Sequence, residues 1–260
     1  MSIVRLSVAI DDAVLDTPLE LPASARAELA DWQVTPGAVV TIQDSRGLFY
    51  RAHWHHDGTH LRPFERLPEN VEPRWPRRLF QAIPDQQRMS WIVQKGVELG
   101  VTMVQPLHTA HSNPFPDGEA GRQQLRTWRR LALSAAKQCR RAVIPEIRAP
   151  LPLSQLLTEW RQSSDNVRRL RADVRGLRWP LSDWTRQSFQ QPIDLLIGPE
   201  GGWNEQERQQ TDASGVVAIA LGPRVLRTET AAVAALTILM MMDDVTPSQL
   251  SIPPLCLNHS

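Results

Sequence analysis

Two short apolar runs in the last third of the chain, at residues 193–197 and 216–221, form its clearest hydrophobic pattern. Each run ends in a turn that contains glycine, and each turn is followed by apolar positions with helical spacing. This alternation predicts two consecutive β-loop-α units. Since ligands bind at the carboxyl ends of strands in such units, we expect the two turns to form one site.

The first turn is rich in glycine and leads into a helix start signal. Its sequence is Gly198-Pro199-Glu200-Gly201-Gly202. Glycine permits positive φ angles and a close approach of the backbone to a ligand, while the proline stiffens the turn. Asn204, with Glu207 three residues later, predicts a capping box at the beginning of a helix.

The second turn carries Arg224 and Arg227 and leads through Glu229 into an apolar stretch at 231–242. A helix that is apolar on every face is buried in the core or against a second subunit, and we favour a partial subunit contact. Glycine turns by themselves occur in any α/β domain. Charged residues at strand ends are more often functional than charges on a helix face, which favours a binding site here.

The rest of the chain divides into a β-rich part and an α/β part. Residues 1–70 predict a small barrel that contains a hairpin with strands at 39–42 and 48–52, and a linker is expected at 68–76. The other predicted elements are strands at 77–83, 101–106 and 167–171, helices at 88–99 and 125–139, a turn at 172–176 and an irregular tail from 246.

Charge and composition narrow the classes of protein. The 260 residues have a formal net charge of +1, yet residues 122–186 contain 15 basic and 5 acidic residues. That block is either a solvated helical face or a surface that neutralises phosphates. Two cysteines, no signal-peptide pattern and no apolar run long enough for a bilayer predict a cytoplasmic protein without membrane contact.

Four histidines at 53, 55, 56 and 60 are the one cluster that suggests a metal site. On a strand, His53 and His55 share a face and His56 lies on the other, so the set does not converge on a tetrahedral centre. We therefore predict no metal.

Four stretches resemble the bacterial 16S ribosomal RNA uridine N3-methyltransferases, the RsmE-type branch of the SPOUT superfamily. The strongest are GPEGGWNEQE at 198–207 and LGPRVLRTETAAVAAL at 221–236, and the others are RMSWIVQKGVELGV at 88–101 and AAKQCRRAVIPEI at 135–147. The resemblance implies an α/β fold: a SPOUT-type trefoil-knotted methyltransferase domain at 73–246, preceded by a PUA-like, RNA-binding β-barrel at 1–70 and followed by a tail at 247–260. It also implies S-adenosylmethionine as cofactor, a homodimer, and 16S ribosomal RNA or the assembled small ribosomal subunit as partner.

The same resemblance assigns roles to individual residues. It implies Arg227 as the principal catalytic residue, with Arg224 as a weaker candidate and Glu229 or Glu200 as proton acceptor. For each glutamate, an ion pair with a neighbouring arginine or a helix N-terminal charge is the alternative that we favour. The implied cofactor-binding residues are Leu196, Gly198, Glu200, Gly201, Gly202, Leu221, Gly222, Leu226 and Thr228. The implied substrate-binding residues are Arg88, Gln138 and Arg141, although packing under the loops is the role we prefer for the last two.

Several positions depart from the family pattern. Asp85 stands where a lysine is usual, Ala110 and His111 where an acid-arginine pair is usual, and Lys137 where a glutamate is common. The segment at 27–32 also lacks the arginine-rich pattern that usually precedes the hairpin. Because of these departures, the alternative hypothesis is a non-catalytic or differently targeted RNA-binding relative of the family. A third hypothesis is a phosphate-binding α/β enzyme with the first turn as an anion nest, although no GxGxxG or GxxxxGK[ST] pattern occurs.

Overall fold

The computed structural model describes residues 13–31, 35–67, 72–178 and 191–242, and they form two sheets with helices. The N-terminal sheet is antiparallel, in the order β1-β4-β3-β2. Its elements are β1 (Leu19–Glu20), α1 (Ala23–Asp31), β2 (Val39–Gln43), β3 (Phe49–Trp54) and β4 (His60–Arg66). The predicted hairpin is confirmed as β2 and β3, whereas the pattern of apolar positions did not reveal α1.

The second sheet is parallel, in the order β11-β9-β10-β5-β6-β7, with β8 also paired to β6. Its strands are β5 (Arg77–Ala82), β6 (Met103–His108), β7 (Glu146–Ile147), β8 (Leu151–Pro152), β9 (Arg168–Arg178), β10 (Ile193–Ile197) and β11 (Val217–Ala220). Its helices are α2 (Gln86–Glu98), α3 (Gly118–Gln138), α4 (Leu153–Gln162), α5 (Glu205–Ala213) and α6 (Thr228–Met241). The α/β prediction is therefore confirmed.

Local capping signals place the helices next to the site. Asp85 is the N-cap of α2 and accepts a hydrogen bond from the Arg88 amide at 2.8 Å, and Gly100 follows the helix with φ +84°. The predicted capping box of α5 is confirmed, because Asn204 and Glu207 exchange side-chain to backbone hydrogen bonds. Helix α4 was not predicted, although its buried residues at 153, 156, 157 and 160 have helical spacing. Helix α3 begins seven residues earlier than predicted because its first turns are polar.

Strand β9 contains the predicted strand at 167–171 but runs on to Arg178. Strand β11 pairs with β9 at 170–171 and at 177–178, so the register shift between Ala218 and Ile219 leaves residues 172–176, where a turn is predicted, outside the pairing with β11. Gly176 lies so close to β11 that an added Cβ would be 2.5 Å from the Ile219 backbone. Arg171 and Asp173 are buried in this segment as an ion pair, at 3.4 Å.

Helix α6 is buried on one face only. Ala232, Ala235, Leu236 and Leu239 belong to the main apolar core, whereas 39% of Met240 and 63% of Met241 is exposed. The expected burial is confirmed for the inner face, and the subunit contact stays a prediction. Within the described part of the chain, no helix has the length and hydrophobicity needed to cross a membrane. The tail from 246 lies outside the described residues.

A buried charge cluster links three neighbouring strands at the end of the sheet opposite the two turns. Asp194 on β10 is fully buried and accepts hydrogen bonds from Arg78 on β5, at 2.5 and 3.0 Å. Arg169 on β9 lies 3.9 Å from the same carboxylate. Burial raises the pKa of Asp194 to about 6 and outweighs the opposing charges of the two arginines.

We expect the free energy of unfolding to fall by on the order of 2–3 kcal/mol as the pH rises from about 4 to about 6. The carboxyl has its folded pKa raised from 3.8 to about 6. The stability that it contributes is therefore complete below pH 3.8 and is lost as the pH rises through its folded pKa. Urea unfolding at several pH values measures this change. Asp194→Asn should remove the pH dependence and the exposed control Asp16→Asn should keep it, and an unchanged profile in Asp194→Asn contradicts the assignment.

Candidate active site

The two glycine-containing turns meet through one buried threonine. The Thr228 Oγ1 hydroxyl donates to the Gly198 carbonyl at 2.7 Å and accepts from Gln81 Nε2 at 2.9 Å. Thr228 is 3% exposed. The prediction that the turn at 198–202 and the turn at 221–228 form one site is therefore confirmed in its geometry.

The carboxyl-terminal half of β9 supplies a third wall. Trp203 donates from its indole Nε1 to the Ala172 carbonyl at 3.0 Å and is 4% exposed. Its ring lies against Gly198, where an added Cβ would be 3.0 Å from Nε1. Trp203 thus fixes the first turn against β9, a role that the sequence did not reveal.

These three segments enclose a cleft that opens to solvent. Seven of the nine predicted cofactor-binding residues line the cleft: Gly198, Glu200, Gly202, Leu221, Gly222, Leu226 and Thr228. Leu196 does not, because it is buried in an apolar cluster with Phe80 and Trp160. Gly201 faces His111, whose Cβ would be 2.9 Å from an added Cβ.

The cleft suits a ligand that is held mainly by peptide groups. Gly202 and Gly222 have φ angles of +70° and +124°, which favour glycine. An added Cβ on either would meet nothing within 4 Å, so both border open space at the cleft. Apolar walls come from Leu221 and Leu226. A flat ring system with attached polar groups, such as the adenosyl part of S-adenosylmethionine, fits this combination.

One carboxylate of the cleft is held ionised by its neighbours. Asp173 accepts hydrogen bonds from Arg208 Nε at 2.8 Å and from the Arg175 amide at 3.0 Å. Burial raises its pKa, but these hydrogen bonds and the charges of Arg208 and Arg171 hold the pKa below its usual value. Asp173 and Arg208 both line the cleft. Sequence reasoning missed them because Arg208 lies on α5, 35 residues from its partner.

A second cavity adjoins the first and contains the predicted catalytic arginine. Its lining residues are Asp85, Gln87, Arg88, Trp91, Arg227, Glu229 and Thr230. Arg227 is the N-cap residue of α6, yet its side chain makes no capping hydrogen bond and is exposed. Arg224 lines the first cleft instead.

Arg88 connects the two cavities through three carboxylates. Its Nη1 donates to Asp85 Oδ2 at 2.6 Å and to Glu200 Oε1 at 2.8 Å, and its Nε lies 3.5 Å from Glu229 Oε2. The Asp85 charge is the largest contribution that raises the pKa of Arg88. The ion pairs expected for the two glutamates are thus observed, and Asp85 is one of the departures from the family pattern.

Two further departures lie beside the first turn. The Ala110 amide donates to Glu207 Oε1 at 2.7 Å, and His111 Nδ1 is 3.1 Å from the Gly202 carbonyl. Both contacts join the loop after β6 to the cleft. Lys137 is exposed near the end of α3 and lines neither cavity.

The substrate-binding assignment of Arg141 requires correction. Its guanidinium is buried, pairs with Glu72 at 2.6 Å, and donates to the Val97 and Val101 carbonyls. Arg141 therefore packs inside the domain, the alternative we had preferred. Gln138 is exposed at the end of α3 and lines neither cavity.

The histidine cluster is occupied by other contacts. His53 stacks on Phe64, with ring centroids 4.5 Å apart, and Asp57 lies 3.1 Å from both His55 and His60. Among the described residues, no three or more candidate ligands converge as a metal site would require.

A parallel α/β sheet with an open cleft at the carboxyl ends of β9, β10 and β11 is the arrangement in which α/β proteins bind their ligands. The model of the RNA methyltransferase domain matches residues 72–240. The chain belongs to this family, and within it to the group named ribosomal RNA small subunit methyltransferase E.

Individual relatives agree with this membership. The Buchnera aphidicola ribosomal RNA small subunit methyltransferase E is 30% identical over 70% of this chain and 70% of its own. The Aquifex aeolicus protein of the same name is 32% identical over 67% of this chain and 73% of its own. The Neisseria gonorrhoeae protein of that name, crystallised with S-adenosyl methionine, has a TM-score of 0.64 and 26% identity, covering 89% of this chain and 94% of that chain.

Thr228→Val is expected to weaken binding of S-adenosylmethionine by about 10–100-fold. Two buried hydrogen bonds are lost, and the polar groups left unsatisfied cost about 1–3 kcal/mol. Valine has nearly the shape of threonine but leaves the Gly198 carbonyl and the Gln81 amide without their partner. Calorimetric titration measures the effect. Thr228→Ser keeps the hydroxyl and should stay within about threefold of the unmodified protein, and equal losses in both variants would refute the role of the hydroxyl.

Proposed function

We propose that this protein transfers a methyl group from S-adenosylmethionine to N3 of a uridine in 16S ribosomal RNA of the small ribosomal subunit. The observation that carries the proposal is the Thr228 to Gly198 hydrogen bond, which joins the two turns around one cleft. Family membership gives the reaction class, and the names of the relatives give the RNA.

The first cleft holds the methyl donor. Peptide groups around Gly202 and Gly222, with the side chains of Leu221 and Leu226, would hold its adenosyl part. The buried Asp173 accepts from Arg208 and from the Arg175 amide and so holds the wall of the cleft in place. Bound S-adenosylmethionine supplies an activated methyl group, so the protein needs alignment rather than a covalent intermediate.

The second cavity receives the uracil base. N3 lies on the Watson–Crick edge, so the base must be unpaired, and the N3 proton must leave for the nitrogen to act as a nucleophile. Arg227 stabilises the negative charge that develops on the ring, since its side chain lines this cavity. Glu229 accepts the proton, and Arg88 orients both Glu229 and Glu200.

Three architectural features complete the proposal. A trefoil knot is supported by the path of the chain, since the loop after β11 returns to the carboxyl end of β10. A PUA-like fold of the N-terminal part is supported by its antiparallel sheet. A homodimer is supported by the exposed apolar Trp91 on α2 and Met241 on α6, and the ribosomal RNA substrate supports a cytoplasmic location.

The decisive experiment supplies small ribosomal subunits, or naked 16S ribosomal RNA, that lack the modification. Labelled S-adenosylmethionine should transfer methyl groups to the RNA, and mass mapping should place them on uracil N3. Methylation of naked RNA and of assembled subunits is compared in parallel. If the donor binds and RNA binds but no methyl group is transferred, the non-catalytic relative is the correct function.

A further inference from the structure

Two arginines, one on the N-terminal sheet and one after a helix of the methyltransferase domain, lie where these two parts of the protein are in contact. Arg51 is on β3, and Arg140 follows the end of α3. Thr41 on β2 donates from Oγ1 to the Arg140 carbonyl at 3.1 Å. Thr41 is also the cross-strand partner of Arg51, so both side chains are on the sheet face that meets Arg140.

The positive charge at this junction is only partly balanced. Arg51 is half-buried, and its Nη1 is buried without a hydrogen-bond partner among the described residues. Burial lowers the pKa of Arg51, and the Arg140 charge lowers it further, while Glu65 on the neighbouring strand opposes them. Two guanidinium groups that repel each other at one surface favour an anion between them.

The backbone of Arg140 gives an independent reason to expect a function. Its φ angle is +64°, in the left-handed region that glycine adopts at low cost and arginine does not. Residues held in such a conformation cluster at binding sites, where the side chain compensates for the strain. A glycine would be the stable choice at this position after a helix.

We propose that Arg51 and Arg140 together bind a backbone phosphodiester of the RNA substrate and so hold the RNA across both parts of the protein. The inference rests on the proposed function for the identity of the anion. Phosphate contacts of this kind fix the position of an RNA without reading its sequence. Arginine suits the role because its planar guanidinium binds phosphate oxygens in pairs.

The test measures binding of a 16S ribosomal RNA transcript at several salt concentrations. Arg140→Gly, Arg140→Asn and Arg51→Gln should each weaken binding by about 3–10-fold at 0.15 M salt and reduce the slope of log K against log salt by about 0.7–1. The Arg51→Gln/Arg140→Gly double variant should lose little more than either single variant, since one phosphate is shared. Affinity for S-adenosylmethionine should not change.

The thermal stability of the Arg140→Gly variant distinguishes phosphate binding by Arg140 from a purely structural role. Arg140→Gly should raise Tm by about 2–4 °C, because the backbone strain at this position is relieved. The same variant should bind RNA more weakly. If Arg140 acted only as a cation at the helix C-terminus, Arg140→Gly would lower Tm and leave RNA binding intact, which would overturn the proposal.

The exposed Arg161 on α4 is the matched control for charge. Arg161→Gln should leave the affinity within about twofold, and an equal loss in this variant also overturns the proposal. Because RNA binding is measured without turnover, a failure of the proposed methylation would be seen separately.

Discussion

Arg227→Ala is expected to lower kcat for methyl transfer by about 10²–10³-fold, the usual loss when one fixed donor to a developing charge is removed. Arg227 lines the second cavity and not the first cleft, so affinity for S-adenosylmethionine should be unchanged. Its side chain makes no capping hydrogen bond, so the helix should keep its stability. Single-turnover transfer to 16S ribosomal RNA, together with calorimetry of the cofactor, measures both quantities.

Arg224 offers the matched comparison because it is a neighbouring exposed arginine that lines the first cleft. Arg224→Ala should alter the affinity for S-adenosylmethionine. The rate of methyl transfer by the cofactor-bound variant should stay within about tenfold of the rate of the unmodified protein. If Arg227→Ala kept full turnover, or if it lost turnover only through weaker cofactor binding, the assignment of Arg227 would be refuted.

Arg141→Ala is expected to lower the free energy of unfolding by about 3–5 kcal/mol, since it removes the buried partner of a close ion pair with Glu72. Glu72 accepts from Arg141 and also from the amides of Ala142 and Val143, at 2.8 and 3.1 Å. Removal of the guanidinium also leaves the Val97 and Val101 carbonyls without this donor. Urea unfolding followed by circular dichroism measures the loss.

Arg148 provides a surface pair for comparison, because its side chain is 52% exposed and lies 3.1 Å from Glu146. Arg148→Ala should cost less than about 1 kcal/mol. A stable Arg141→Ala variant with weakened RNA binding would restore the substrate-binding role that the sequence suggested. We expect the opposite result.

The parts of the site that depend on residues adjacent in the sequence were predicted from the types of those residues. The glycine turns, the Asn204 capping box and the Gly100 helix end were all predicted because each depends on a few adjacent residues. The meeting of the two turns followed from a general rule about strand ends in α/β sheets. Thr228, placed in the site by resemblance, proved to be the residue that joins them.

The missed features depend on partners that are distant in the chain. Asp173 and Arg208 are 35 residues apart, and Arg141 and Glu72 are 69 apart. The length of β9 was not predicted because the burial of its charged residue Asp173 depends on Arg208. No periodicity of apolar positions could reveal that pairing.

The order of strands has a consequence for synthesis of the chain. Residues 77–81 of β5 pair with the whole of β10, and the aligned residues Arg78 and Asp194 are 116 positions apart. The ribosome adds about 5–20 residues per second, so one edge of β5 stays unpaired for on the order of 10 seconds until β10 emerges. During that interval the nascent chain carries an open, largely apolar strand edge, which is a template for aggregation. Chaperone supply should therefore limit the yield of this protein more than its equilibrium stability does.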